Sequence, residues 1–180
     1  MLQNTANCAL RLTVLGSRKI LLPLLALLLT GLLAYLALHK PAAPGVQFTT
    51  LHGQQLSMQQ LQGKVVLVNF WATTCPGCIA EMPKLIDTYQ RYRGKGFEVV
   101  AVAMAYDPPS QVANYVQAHA LPFPVALDVQ GDIAKAFNNV KLTPTAFLID
   151  RRGHVVRNIV GELDFASLHS TLDAELGRPG

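Results

Sequence analysis

Acidic residues are missing from the first 40 positions of this 180-residue chain, and cysteine is scarce throughout, at three. Residues 20–38, ILLPLLALLLTGLLAYLAL, carry no charged side chain at all. Each shortage excludes something. Of the 15 Lys and Arg, four (Arg11, Arg18, Lys19, Lys40) precede residue 41, and the other 11 are matched by all 11 Asp and Glu. The formal charge of +4 therefore belongs to the N-terminal segment, and the rest has no basic stripe such as a nucleic-acid binder needs. A structural zinc site usually takes four Cys or His ligands, often as two spaced pairs. Here there is one cysteine pair, and His39, His52, His119, His154 and His169 show no paired spacing. A closed site would have to be gathered from scattered loops. There is no internal repeat.

The uncharged run is the first positive feature. About 20 apolar residues suffice to cross a bilayer as a helix. Pro23 would lie in the first turn, where a proline removes no helical hydrogen bond. A cleaved signal peptide is the competing reading, but its apolar core is normally about 7–15 residues and ends in a small-x-small site. This run is longer and is followed by His39, Lys40 and Pro41, so an uncleaved anchor is expected. Lipoprotein processing is not, because Cys8 precedes the run. Three basic residues before the span against one just after it put the N-terminus in the cytoplasm and the bulk of the chain outside. The expected division is 1–19 cytoplasmic, 20–38 transmembrane anchor, 39–45 linker (KPAAPG holding Pro and Gly) and 46–180 folded domain.

Within that domain, VQFTTLHGQQLSM alternates weakly around His-Gly and reads as a hairpin. VVLVNF, 65–70, is a short β-branched run and reads as a buried strand. From Pro76 to about Arg93 the apolar residues Ile79, Met82, Leu85, Ile86 and Tyr89 recur at helical spacing, and Gly94 and Gly96 end the run. Then come a strand (FEVVAVAM), a helix entered through a Pro pair, a short strand (PFPVALD) and a short helix (DIAKAFN). A hairpin across RRG and a C-terminal amphipathic helix from Asp164 complete the chain. Strands alternating with helices imply parallel crossovers and an α/β sheet covered on both faces. The last hairpin makes that sheet mixed.

Two of the three cysteines stand in WATTCPGC, Trp71–Cys78, between the strand and the helix. Cys75 falls at the helix N-cap and Pro76 at the first helical position, where proline is favoured. The helix dipole and its free N–H groups would stabilise a thiolate at Cys75. Cys78 lies one turn on, on the same side but deeper. Cys75 is then the exposed nucleophile, and Cys78 the resolving thiol that attacks the mixed disulfide. A buried, inert pair is the plain alternative. Outside a membrane is also where protein disulfides form and need editing. Met58, Met82 and Met104 are soft metal ligands in principle, but they are scattered as core residues are.

VNFWATTCPGCIAEMP, followed much later by LTPTAFLID, resembles the membrane-anchored thioredoxin-like proteins of the TlpA/ResA group over about 46–176. The resemblance implies a thioredoxin-like fold with an N-terminal hairpin and a central insertion. It implies no cofactor beyond the redox-active Cys75–Cys78 disulfide, and no metal. Thr143-Pro144 matches the cis-proline loop facing the cysteines, where Thr143 would pair with a substrate strand. An ordinary trans proline is the alternative, cis bonds being rare overall. Glu81 matches the acid of the Cys-x-x-Cys-x-x-Glu pattern and would accept or relay the Cys78 proton; it could equally be a solvated helix glutamate. Pro83 matches the family's helix kink. Trp71 matches the tryptophan beneath the site, though a plain core aromatic fits as well.

Two residues depart from ordinary thioredoxin. Asn69 stands where a buried acid is usual, which shifts proton transfer towards Glu81. Thr74 replaces a second tryptophan, so the partner-facing rim around Thr74 and Pro76 is smaller and more polar. Anchored members mostly act as reductases of particular extracytoplasmic proteins, such as those of cytochrome c or copper-centre assembly, fed by a membrane thiol carrier. NNVKLTPT lacks the Gly-rich, Glu-containing loop of dedicated cytochrome c maturation thioredoxins. A disulfide-forming oxidase with the same site, or a copper metallochaperone using both thiols, stays open at this point, as does the direction of electron flow.

Overall fold

The structure, a computed structural model, describes residues 21–33 and 40–178. The centre is β3, Val65–Trp71, whose seven residues are all buried. Such a run can lie only in the middle of a sheet covered on both faces. β4 (Phe97–Ala103) pairs parallel with it on one side, and β6 (Thr145–Ile149) antiparallel on the other. β5 (Val125–Leu127) lies parallel outside β4, and β7 (Val155–Val160) antiparallel outside β6. The order is β5-β4-β3-β6-β7, the mixed sheet that the strand pattern implies. The hairpin is present as β1 (Gln47–Thr49) and β2 (Gln55–Ser57).

Alternation along β3 divides the core. Val65, Leu67 and Trp71 face α1 (Pro76–Tyr92), α2 (Pro109–His119) and α4 (Phe165–Leu176), packing with Met82, Leu85, Val112, Leu168 and Leu172. Val66, Val68 and Phe70 face the hairpin and α3 (Asp132–Ala136), packing with Phe48, Ile133 and Phe137. β5 supplies one edge of the sheet, and α3 covers part of one face. Asp128 caps α3 by accepting from the Ile133 and Ala134 amides at 3.0 and 2.8 Å.

Helix α1 ends at Tyr92, runs through a 3-10 turn at Arg93–Lys95 and stops at Gly96 with φ 96°, which favours glycine. Pro83 sits inside α1 and is exposed. It withholds one helical N–H, yet the helix continues for nine more residues. Met58, Met82 and Met104 lie in the core on opposite faces of the sheet, Met82 on one and Met58 and Met104 on the other. They do not converge on a common point.

Residues 41–43, within the expected linker 39–45, are bonded to the domain. Ala42 bridges His154, the Ala43 amide donates to the Gly153 carbonyl, and the Val155 amide donates to that of Pro41. The compact unit begins at Pro41. Of the expected span, residues 21–33 are helical, with their leucines exposed. Residues 1–20, with Cys8, and 34–39 lie outside the described residues. Among the described residues no helix is long and apolar enough to cross a membrane.

Phe70 is wholly buried between Phe137 and Phe147, with ring centroids 5.5 and 6.0 Å away. Truncating it leaves a cavity under the β3–β6 pair. Phe70→Ala is expected to destabilise the domain by about 3–5 kcal/mol, measured by chemical denaturation.

Candidate active site

β3 leaves the sheet at Trp71, and the chain turns through Ala72–Thr74 into α1. Cys75 is the N-cap, with extended backbone (φ −95°, ψ 106°), and Pro76 opens the helix. The Cys78 amide donates to Cys75 Sγ at 3.2 Å, and the Ile79 amide to the Cys75 carbonyl at 3.1 Å. Cys75 and Cys78 are joined as a disulfide, with Cα atoms 5.3 Å apart. Cys75 is half-buried and Cys78 fully buried, the asymmetry expected of an attacking and a resolving sulfur.

The Thr143–Pro144 bond is cis. Antiparallel register pairs Thr145 with Phe70, which brings Pro144 alongside the end of β3 where the cysteine turn begins. Pro144 is buried and Thr143 half-buried, its hydroxyl 3.2 Å from Tyr106 Oη. A third segment closes the site. After β7, the Gly161 amide donates to the Pro144 carbonyl at 2.9 Å. The next residue, Glu162, lays its side chain over Gly77: a Cβ there would meet Glu162 Oε1 at 2.9 Å. The Leu163 amide donates to Glu81 Oε2 at 3.0 Å.

Glu81 is 4% exposed, so it is not a solvated helix residue. Burial pushes its pKa up, the Leu163 amide and the nearby Asn69 amide pull it down by less, and the Glu162 charge adds to the rise. Asn69 is buried and close enough to be felt, yet neither atom of its amide meets hydrogen-bond geometry with any partner. It is a polar neighbour of Glu81. Glu81 Oε1 and Trp71 Nε1 are likewise buried without partners. Trp71 packs against Tyr115, centroids 5.3 Å apart, in the same cluster as Cys78. Thr74 and Pro76 are exposed on the rim.

The redoxin family profile matches residues 39–174. The chain belongs to the redoxin family. This redoxin is 40% identical over 120 residues to the thiol-disulfide oxidoreductase ResA of Bacillus thuringiensis subsp. konkukian, covering 67% of this chain and 68% of that one. Identity to ResA of Bacillus subtilis is 31% over 138 residues, 77% of this chain and 75% of the relative. A crystal structure of a thioredoxin-family thiol:disulfide interchange protein from Chlorobium tepidum TLS superposes with a TM-score of 0.71 at 30% identity, covering 77% of this chain and 98% of that one. The redoxin is therefore a ResA-like thiol–disulfide oxidoreductase, and its thioredoxin-like fold follows.

Sequence reading of this redoxin missed the residues that reach the site from other loops. Asp107, 4% exposed, accepts from the Thr73 amide at 2.7 Å and the Thr73 hydroxyl at 2.6 Å, pinning the turn two residues before Cys75. Glu162 and Tyr106 were also missed. No contiguous motif carries these contacts, which span 34 or more positions.

Two outcomes follow from this geometry. Glu81 has a raised folded pKa, so the folded state holds its proton where the unfolded state has lost it. Its contribution to stability is complete below the unfolded value and is lost as pH rises through the folded one. Glu81→Gln should remove that decline, making the oxidised variant relatively more stable at pH 8 than at pH 4.5 by urea titration at both. Asp107→Ala should cost about 2 kcal/mol by leaving the Thr73 amide unpaired and its hydroxyl with only the 3.3 Å bond to Gln111, read as a fall in denaturation midpoint.

Proposed function

We propose that this redoxin is a membrane-anchored reductase of disulfides in extracytoplasmic proteins, of the cytochrome c or copper-centre assembly type. The observation that carries the reading is a half-exposed Cys75 at a helix N-cap, bonded to a fully buried Cys78 with a buried carboxylic acid beyond it. In the reduced form the Cys75 thiolate attacks a partner disulfide. One partner sulfur leaves as thiolate, and a mixed disulfide forms. Cys78 then gives its proton to Glu81 and attacks Cys75 Sγ. The second partner sulfur leaves and is protonated, and the Cys75–Cys78 disulfide closes. Two electrons have passed to the partner, both of whose released sulfurs take their protons from solvent while Glu81 keeps the one Cys78 gave up, and a membrane thiol carrier restores the dithiol. Thr143, before the cis-proline, pairs with the partner's backbone, and Thr74 and Pro76 border it.

Electrostatics favours this direction. The N-terminus of α1 stabilises a thiolate, but Glu81 and Glu162 both lie against the cysteine turn and oppose it. Disfavouring the thiolate disfavours the reduced form, so the dithiol becomes the better donor. Anchoring at 20–38, with the N-terminus in the cytoplasm and the domain outside, is supported by the basic residues before the run and by the exposed leucines of the helical residues 21–33.

Cys78→Ala is expected to accumulate mixed disulfides with its partners in native membranes, through Cys75, while Cys75→Ala accumulates none. The opposite pattern reverses the two roles. The pair's potential, from equilibration with glutathione, should lie nearer to about −270 mV than to about −120 mV. A value at the oxidising end would make the protein a disulfide-forming oxidase.

A further inference from the structure

The cysteine turn of this chain carries no charge of its own. Thr73, Thr74, Pro76 and Gly77 are neutral, and the lack of a side chain at Gly77 lets another residue lie against the turn between the cysteines. That residue is Glu162. Its Oε1, Cγ and Cδ would stand 2.9, 3.3 and 3.5 Å from a Cβ at position 77. The Gly161 amide bonded to the Pro144 carbonyl, and the Leu163 amide bonded to Glu81, hold the loop on either side of it. Its charge reaches the site, since it contributes to the raised pKa of Glu81. Glu162 is itself exposed, between the cis-proline and the cysteines, where a partner's disulfide must arrive.

The other charges on the loops around the cysteines differ from it in placement. Asp107 is buried and engaged with Thr73. Asp164 caps α4, accepting from the Ala166 and Ser167 amides. Lys141 is exposed two residues before Thr143. Tyr106, Leu142 and Val160 are among the few large hydrophobic side chains exposed in the domain. A partner segment lying on that surface would displace water around Glu162 and strengthen its field.

We propose that Glu162 is a specificity-determining residue that selects partners bearing Lys or Arg next to the cysteine under attack. The inference rests on the thiol-exchange reading and narrows its substrate class. A cation on the partner would meet the Glu162 carboxylate as the sulfurs align, and an acidic neighbour would be repelled. Charge placed this way acts chiefly on the rate of productive encounter.

The test uses the reduced full-length protein in a zwitterionic detergent. Two peptides, identical except for Lys or Glu on both sides of one cysteine, are supplied as disulfides with a chromophoric thiol, and release of that thiol is followed. The expected wild-type preference is for the Lys peptide. Glu162→Gln should shrink the ratio of rate constants about threefold, a span typical of one exposed ion pair, and Glu162→Lys should invert it. Added salt should erase the wild-type preference but leave Glu162→Gln nearly unmoved. Lys141→Gln should not reduce the preference for the Lys peptide. An unchanged ratio in Glu162→Gln, or an equal fall with Lys141→Gln, overturns the proposal and leaves the exchange reading intact. No release from either peptide overturns the exchange reading itself.

Discussion

One hydrogen bond holds the reactive end of this redoxin together: the Leu163 amide donating to Glu81 Oε2. It joins the helix that carries the cysteines to the loop after β7, 82 positions away. The same loop is bonded, through Gly161, to the carbonyl of the cis-proline. Three segments distant in sequence are thereby set around one disulfide. The bond requires a carboxyl group to be buried, and burial alone would disfavour its charged form. The amide compensates only in part, so the acid keeps an affinity for a proton above the usual carboxylate range. A structural clamp and a raised proton affinity thus come from one residue, because a group that must be buried to fasten the loop is also one whose pKa is lifted.

The cysteine turn stands between opposing fields. Helix α1 points its free N–H groups at Cys75, and the Cys78 amide already donates to that sulfur. Glu81 beyond Cys78 and Glu162 over Gly77 act in the other sense. An N-cap thiol with no nearby acid would be strongly acidic, and its disulfide correspondingly oxidising. The two carboxyl groups temper that tendency. Their arrangement also separates their effects: Glu81 is out of reach of solvent, whereas Glu162 faces it. A partner could therefore neutralise one and not the other.

Much of this was legible in the letters. Strands and helices from Val46 to Leu176 announced themselves by period, because each buries a regular face: β3 as an unbroken apolar run, α1 by Met82, Leu85 and Tyr89. The Cys75–Cys78 pair was legible because it stands at a helix start. Less visible were the polar residues that share the buried face of α1. Glu81 and Thr88 break its apolar period yet are buried, and each is bonded to a partner far along the chain, Leu163 or His169. Residues 41–43 looked like linker because Pro and Gly punctuate them, while their bonds to Gly153 and Val155 depend on an edge that only the folded sheet provides. Asp107 and Glu162 belong to the same class. What fixes them is a meeting of loops, and a single chain of letters does not display where loops meet.

Asn69 becomes intelligible once Glu81 is seen in place. It lies on β3 between Leu67 and Trp71, on the face that packs against α1. A carboxylic acid there would put a second acid beside Glu81 within a nearly dry interior. Two such groups cannot both ionise readily, and they would titrate as a pair rather than as one acceptor with a defined affinity. The amide avoids that. It lowers the Glu81 pKa slightly by its dipole and adds no charge of its own. Its donor and acceptor are left without partners, a cost that a purely structural core would have removed with an apolar residue. The retention of an unsatisfied amide at this point, next to an acid that is itself only half satisfied, fits a site in which protons must come and go. Moving the acid from the strand to the helix does more than relocate it. It places the carboxyl one turn beyond Cys78, on the same helix as that sulfur, so that the two keep their spacing whatever the loops around them do.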